Sequence, residues 1–115
     1  MIRNLSRQSL IARDVRRARS FIAKAVGLLG DQRPLAQGEA LVIPSLVPWI
    51  HTFFMRYPID IIFVSPTHVV VGMECMKPWR LSKIYWRADR AIELAAGAIE
   101  RSSTHVGDKI AFTGG

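Results

Sequence analysis

Short β-branched runs, each closed by proline or glycine within a few residues, decide most of what this chain can fold into. Leu41-Val42-Ile43 ends at Pro44, residues 49–55 lie between Pro48 and Pro58, and Ile59–Val64 comes next at once. Such residues fit a pleated, half-buried surface, and proline closes a run because it cannot donate to a strand ladder. Ser65-Pro66-Thr67-His68 is a turn of hairpin length. It leads into Val69-Val70-Val71-Gly72-Met73-Glu74, which Pro78 stops. Residues 90–95 and 109–112 read as two more strands, and residues 9–13 as a short one. Residues 79–89 show no period and read as a loop. Residues 97–102 fit one helical turn, and Gly107-Asp108 a tight turn.

Only one stretch has a sustained helical period. Asp14 reads as an N-cap, and Val15, Ala18, Ile22, Ala25, Val26 and Leu29 succeed it as one apolar stripe. Arg16, Arg17, Ser20 and Lys24 lie mostly off that stripe, and Gly30 is the stop. The stripe suits packing on a sheet better than lying on a membrane, because it lacks Trp and a long lipid-facing surface. One sizeable helix among many short strands argues against repeated βαβ units. The expected fold is α+β and strand-dominated: a curled antiparallel or mixed sheet, barrel- or sandwich-like, with one main amphipathic helix near the N-terminus.

At 115 residues the chain is expected to form a single domain over residues 1–115, long enough to bury a core without staples. Its one cysteine, Cys75, cannot form an internal disulfide. No apolar run approaches the roughly 18 residues of a membrane span. The start, Met1-Ile2-Arg3-Asn4-Leu5-Ser6-Arg7, has no apolar stretch behind its basic residues, so a cytoplasmic location is expected. Sixteen basic against nine acidic side chains give a formal charge of +7. The surplus sits mainly in Arg3, Arg7, Arg13, Arg16, Arg17, Arg19, Lys24 and Arg33, which reads as a solvated basic face before it reads as a polyanion site.

Asp60 is the most informative single residue. Alternation places Ile59, Ile61 and Phe63 on one face of its strand and Asp60, Ile62 and Val64 on the other, so both faces are otherwise apolar. A carboxylate there is costly unless it is paired or hydrogen-bonded. Glu93 has a similar setting among Ala91, Ile92, Leu94 and Ala95, and His51 and Arg56 lie close before Asp60. These four residues admit a polar ligand pocket, acid–base chemistry, or a buried network that fixes the sheet. Trp49, Trp79, Tyr85 and Trp86, with Arg80, Lys83 and Arg87, form either an aromatic–basic surface for a sugar ring or a base, or a loop packed over the end of the sheet. His51, His68 and His105 lack zinc spacing with Cys75, Asp60 or Glu93, so no metal site and no cofactor are expected.

The string from Trp49 to Val64, Trp-Ile-His-Thr-Phe-Phe-Met-Arg-Tyr-Pro-Ile-Asp-Ile-Ile-Phe-Val, resembles the signature of domain-of-unknown-function family 192. Gly27-Leu28-Leu29-Gly30, Gly38-Glu39-Ala40-Leu41, Ile92-Glu93-Leu94-Ala95-Ala96-Gly97 and Gly107-Asp108 resemble further elements of that family in order, so the likeness spans about residues 10–112. The chain departs from it at Phe54-Met55-Arg56-Tyr57, where many members have Trp-Met-x-Asn-Thr. The resemblance implies a small strand-dominated fold and no established activity. Many members look exported, carrying signal sequences.

Three functions stay open on this reading. The first is a binding or accessory domain in which His51, Arg56, Asp60 and Glu93, roofed by Trp79 and Trp86, take a small polar ligand. The second is a small hydrolase or lyase using the same buried Asp/Glu/His cluster. The third is a weak nucleic-acid binder acting through the basic N-terminal third. Oligomeric state is not expressed in the sequence.

Overall fold

The computed structural model describes residues 1–17, 35–44, 52 and 56–113. Two sheets and one short helix make up the described part. The small sheet is antiparallel, in the order β2-β1-β8, from β1 (Ile2–Asn4), β2 (Ser9–Ala12) and β8 (Ile110–Phe112). The large sheet runs β3-β4-β7-β5-β6, from β3 (Asp14–Arg17), β4 (Glu39–Pro44), β5 (Ile59–Val64), β6 (Val70–Met76) and β7 (Arg90–Ala95). It is mixed: β3 pairs parallel with β4, and the other pairings are antiparallel. Among the described residues the sheets share a core without closing into a barrel. Ile2, Ile11, Ala12 and Ile110 of the small sheet meet Ala40, Val42, Ile62, Val64, Val70, Ile92 and Leu94 of the large one.

The expected strands at 59–64 and 90–95 coincide with β5 and β7, and those at 41–43, 69–74 and 109–112 fall within a few residues of β4, β6 and β8. All six residues of β5 are buried, as its two apolar faces require. The start of the expected N-terminal helix is corrected. Asp14 does not cap a helix there; it opens β3, whose backbone pairs with Glu39–Val42 of β4. A ladder partner for each residue outweighs the modest helical preference of Val15-Arg16-Arg17. The rest of the expected helix, up to its stop at Gly30, lies outside the described residues, as does most of the expected strand at 49–55. The described helix is α1 (Ala98–Ser102), near the C-terminus. Among the described residues no helix is long and apolar enough to cross a membrane.

One connection shapes the second face of the large sheet. β6 and β7 both run antiparallel to the intervening β5, so they are parallel to each other. Parallel strands need a crossover, and here residues 77–89 make it with a loop instead of a helix. The loop crosses the face of the large sheet opposite the shared core. Ile59, Ile61, Phe63, Met76 and Ala91 form a second apolar cluster there, with Tyr57, Val71, Tyr85 and Ala88 against it.

Candidate functional site

Asp60 is 1% exposed, and the structure spends its carboxylate on a helix end. Its Oδ2 accepts the backbone N–H of Gly97 at 3.1 Å and that of Ile99 at 3.0 Å. Gly97 is the N-cap residue of α1, and its φ of 96° lies in the left-handed region that favours glycine. Glycine has no side chain to satisfy the first free helix amides. Asp60 supplies the missing acceptor from a strand 37 residues earlier. Its negative charge also suits the positive end of the helix dipole.

Across the ladder Asp60 stands opposite Cys75 of β6. Partial burial, a hydrogen bond to Asp60 and the charges of Asp60 and Glu100 push the Cys75 thiol up to about 11, so it stays protonated and a poor nucleophile near neutral pH.

The expected pocket does not assemble around both carboxylates. In an antiparallel pair, directly opposed residues share a face. Asp60 is opposed to Leu94, whereas Glu93 is opposed to Ile61. The two carboxylates therefore point to opposite sides of the sheet: Asp60 toward the shared core and α1, Glu93 toward the crossing loop. Sequence spacing alone could not separate them, because it leaves the register of β5 on β7 undefined. Glu93 is 3% exposed, so neither carboxylate is open to a substrate from solvent. Arg56 is exposed at the bend before β5, and backbone amides take the partner role expected of it. His51 lies outside the described residues. Trp79 and Trp86 are exposed on the crossing loop, on the Glu93 side.

That loop is held in place by residues whose role no sequence pattern displays. Thr52, fully buried, donates from Oγ1 to the Lys77 carbonyl at 2.7 Å and accepts the Arg80 N–H at 2.9 Å. Its backbone pairs with Trp79 and Arg80. Farther along, the Tyr85 ring stacks on Phe63 with centroids 4.2 Å apart, and its hydroxyl donates to Glu74 Oε2 at 2.9 Å. Burial and the hydrogen bond to charged Glu74 push the Tyr85 phenol up to about 12. The same Glu74 oxygen accepts the Lys83 N–H at 2.8 Å. The sequence groups Tyr85 with the surface aromatics; the structure turns it inward.

A second polar knot ties β1 to the C-terminal segment. Asp108 Oδ2 accepts from Asn4 Nδ2 at 2.9 Å, from the His105 N–H at 2.9 Å and from Arg7 Nε at 3.1 Å. Asn4 is fully buried; its Nδ2 also donates to Thr104 Oγ1, and its Oδ1 accepts the Arg7 N–H. The Gly107-Asp108 turn is the only sequence signal of this network. Of the expected basic face, Arg7 is engaged here and Arg16 lies 4.0 Å from Glu39, while Arg19, Lys24 and Arg33 lie outside the described residues.

Burial on its own would raise the Asp108 pKa, but the bonds from Asn4, His105 and Arg7 outweigh it and hold the carboxyl below its usual value. A group depressed in the folded state contributes stability above its unfolded pKa, near 3.9, and loses it as pH falls through the folded value. The urea midpoint is therefore expected to drop as pH falls below about 4, and Asp108→Asn to flatten that acid limb. An acid limb unchanged in the variant would remove Asp108 from the account.

A cleft of about 340 Å³ opens where β2, the Gly38 turn and α1 meet. Leu10, Ile11, Ala12 and Ala98 give it an apolar lining, and Arg13, Gln37 and Arg101 a polar one. Arg101 donates from Nη2 to Gln37 Oε1, and Gln37 Nε2 reaches the Ala96 carbonyl, so the amide bridges the helix side of the cleft.

The architecture defines a class: a small two-sheet α+β domain with a capped helical turn and a loop crossover. The chain belongs to the uncharacterised family DUF192, described as "Uncharacterized ACR", whose model matches residues 3–112. It is 36% identical over 111 residues to the UPF0127 protein PH1112 of Pyrococcus horikoshii, covering 96% of each chain. It is 31% identical over 108 residues to the UPF0127 protein PF1050 of Pyrococcus furiosus, covering 93% of each. Among solved structures it resembles a protein of unknown function from Novosphingobium aromaticivorans, with a TM-score of 0.73 at 20% identity, over 85% of this chain and 74% of that one. That likeness concerns the fold alone.

Proposed function

We propose that the protein is a non-catalytic binding domain for a small polar ligand, and that the ligand is an anion held in the cleft between β2 and α1. The cleft carries the reading. Its volume of about 340 Å³ falls in the range of small-molecule sites, which are mostly apolar with a few placed polar groups. Arg101 presents a planar fork of donors, of which Gln37 occupies one nitrogen. Arg13 is a second arginine of the lining. A carboxylate on a small apolar body matches both halves of the lining, because arginine pairs with carboxylates in a bidentate, charge-assisted way. The lining offers arginine and amide donors, which suit holding an anion better than cleaving a substrate.

The test is a thermal-shift and calorimetric series with small carboxylates, from acetate to hydroxy and amino acids. A ligand present at a hundred times its Kd is expected to stabilise the fold by about 2.7 kcal/mol. Arg101→Ala removes a charge-assisted bond worth about 1.5–3 kcal/mol, so binding weakens roughly ten- to a hundredfold. Carboxylates that neither shift the midpoint nor release heat would overturn the proposal. So would binding that Arg101→Ala and Arg13→Ala leave intact.

A further inference from the structure

The loop that crosses the second face is built in an unusual sense. A chain segment covering a sheet normally turns its large apolar side chains toward that sheet. Here the inward positions are Tyr85 and buried Ser82, while Trp79, Leu81, Ile84 and Trp86 are 56%, 60%, 52% and 78% exposed. These four side chains stand within eight residues of one another on one loop, and exposed apolar residues concentrated in one segment are what an interaction surface would use. Fraying does not account for them. Thr52 clamps the start of the loop through Lys77 and Arg80, and Tyr85 is fixed by Phe63 and Glu74. The outward side chains thus ride on a backbone that is already ordered.

Charge says what kind of partner this surface fits. Lys77, Arg80, Lys83 and Arg87 alternate with the apolar residues, all four are exposed, and no acidic residue occurs from Lys77 to Ala88. The partner must be anionic and must also accept aliphatic side chains. Nucleic acid stacks on tryptophan, but it takes up aliphatic side chains such as Leu81 and Ile84 only at the cost of unstacking base steps. An anionic bilayer accepts all of them: tryptophan favours the headgroup level, leucine and isoleucine the acyl boundary, and Lys and Arg the phosphate layer.

We propose that residues 77–87 form a membrane-docking loop, in which Trp79, Leu81, Ile84 and Trp86 enter the interface of an anionic bilayer and Lys77, Arg80, Lys83 and Arg87 lie on its headgroups. The surface is separate from the cleft between β2 and α1 and does not depend on it.

Co-sedimentation with phosphatidylcholine vesicles, with and without phosphatidylserine, tests this. The protein is expected to bind the phosphatidylserine vesicles, to bind pure phosphatidylcholine far less, and to come off as salt is raised. Each cation near such a surface is worth about fivefold in partitioning, so the double reversal Arg80→Glu, Arg87→Glu should weaken binding on the order of a hundredfold or more. Trp79→Ser with Trp86→Ser should abolish sedimentation and the blue shift of tryptophan emission. These positions are exposed, so both variants should keep the thermal midpoint of the parent, which separates lost docking from lost folding.

Failure of the parent to bind phosphatidylserine vesicles would overturn the proposal, as would binding that either folded variant retains. Retention of a DNA or RNA oligonucleotide through the same residues, without vesicle binding, would replace it with a nucleic-acid surface. Self-association that the tryptophan variant abolishes, again without vesicle binding, would replace it with a second copy of this chain.

Discussion

Asp60→Ala is expected to lower the stability of the fold by about 2–5 kcal/mol, seen as a lower urea midpoint with an unchanged slope. The carboxylate is buried and holds two backbone donors, those of Gly97 and Ile99. Hydrogen bonds to a charged group contribute about 1.5–3 kcal/mol each, and a lost helix cap alone about 0.5–2. Alanine leaves both amides without their acceptor at a part-buried helix end. Asp60→Asn keeps one carbonyl acceptor and should lose markedly less. Were Asp60 kept for a ligand instead, its removal would leave the midpoint unchanged or raise it, as is common at functional sites. That result would refute the capping role.

Gly72→Ala should cost about 2–4 kcal/mol, although glycine in a strand is ordinarily a weakness that alanine repairs. An added Cβ at Gly72 would lie 2.0 Å from Tyr85 Cε1 and 2.3 Å from Cδ1. The ring cannot stay where it is. Moving it forfeits the stack on Phe63, worth about 0.5–1.5 kcal/mol, and the charge-assisted bond to Glu74, worth about 1.5–3. A double-mutant cycle isolates the cause. In a Tyr85→Ala background the ring is gone, and Gly72→Ala should become nearly neutral. Equal losses in both backgrounds would mean that the penalty arises in the strand itself.

The strands were legible where a short run carried its own boundaries. β5 reads directly from Ile59 to Val64, because both faces are apolar and Pro58 and the Ser65–His68 turn mark its ends. β7 reads almost as directly. The buried state of Asp60 was legible for the same reason, and so was its need for hydrogen-bond donors. What it binds was not. Its partners are main-chain amides of a glycine turn on another element, and neither composition nor spacing encodes which turn a strand will meet. β3 hides in the sequence because Val15 falls on a helical stripe as well as on a strand, and only the pairing with β4 decides between them. Asp60 and Glu93 look like one site for a related reason: each strand reveals its own alternation, but the register between strands decides which side the two alternations share. The crossing loop is recognisable as aromatic and basic. That Tyr85 turns inward while Trp79 and Trp86 turn outward comes from the hollow at Gly72, which no local pattern displays.

The remote cap on α1 also constrains the order in which the molecule assembles. A helix of five residues is far below the length that holds together by itself in water. Its cap comes from β5, and β5 lies beside β7 only after the chain between them has folded back. Residues 98–102 therefore have little reason to be helical until the central strands of the large sheet have paired. Formation of α1 is a consequence of sheet formation, and the helix is set in place at the end by a side chain that the sheet delivers.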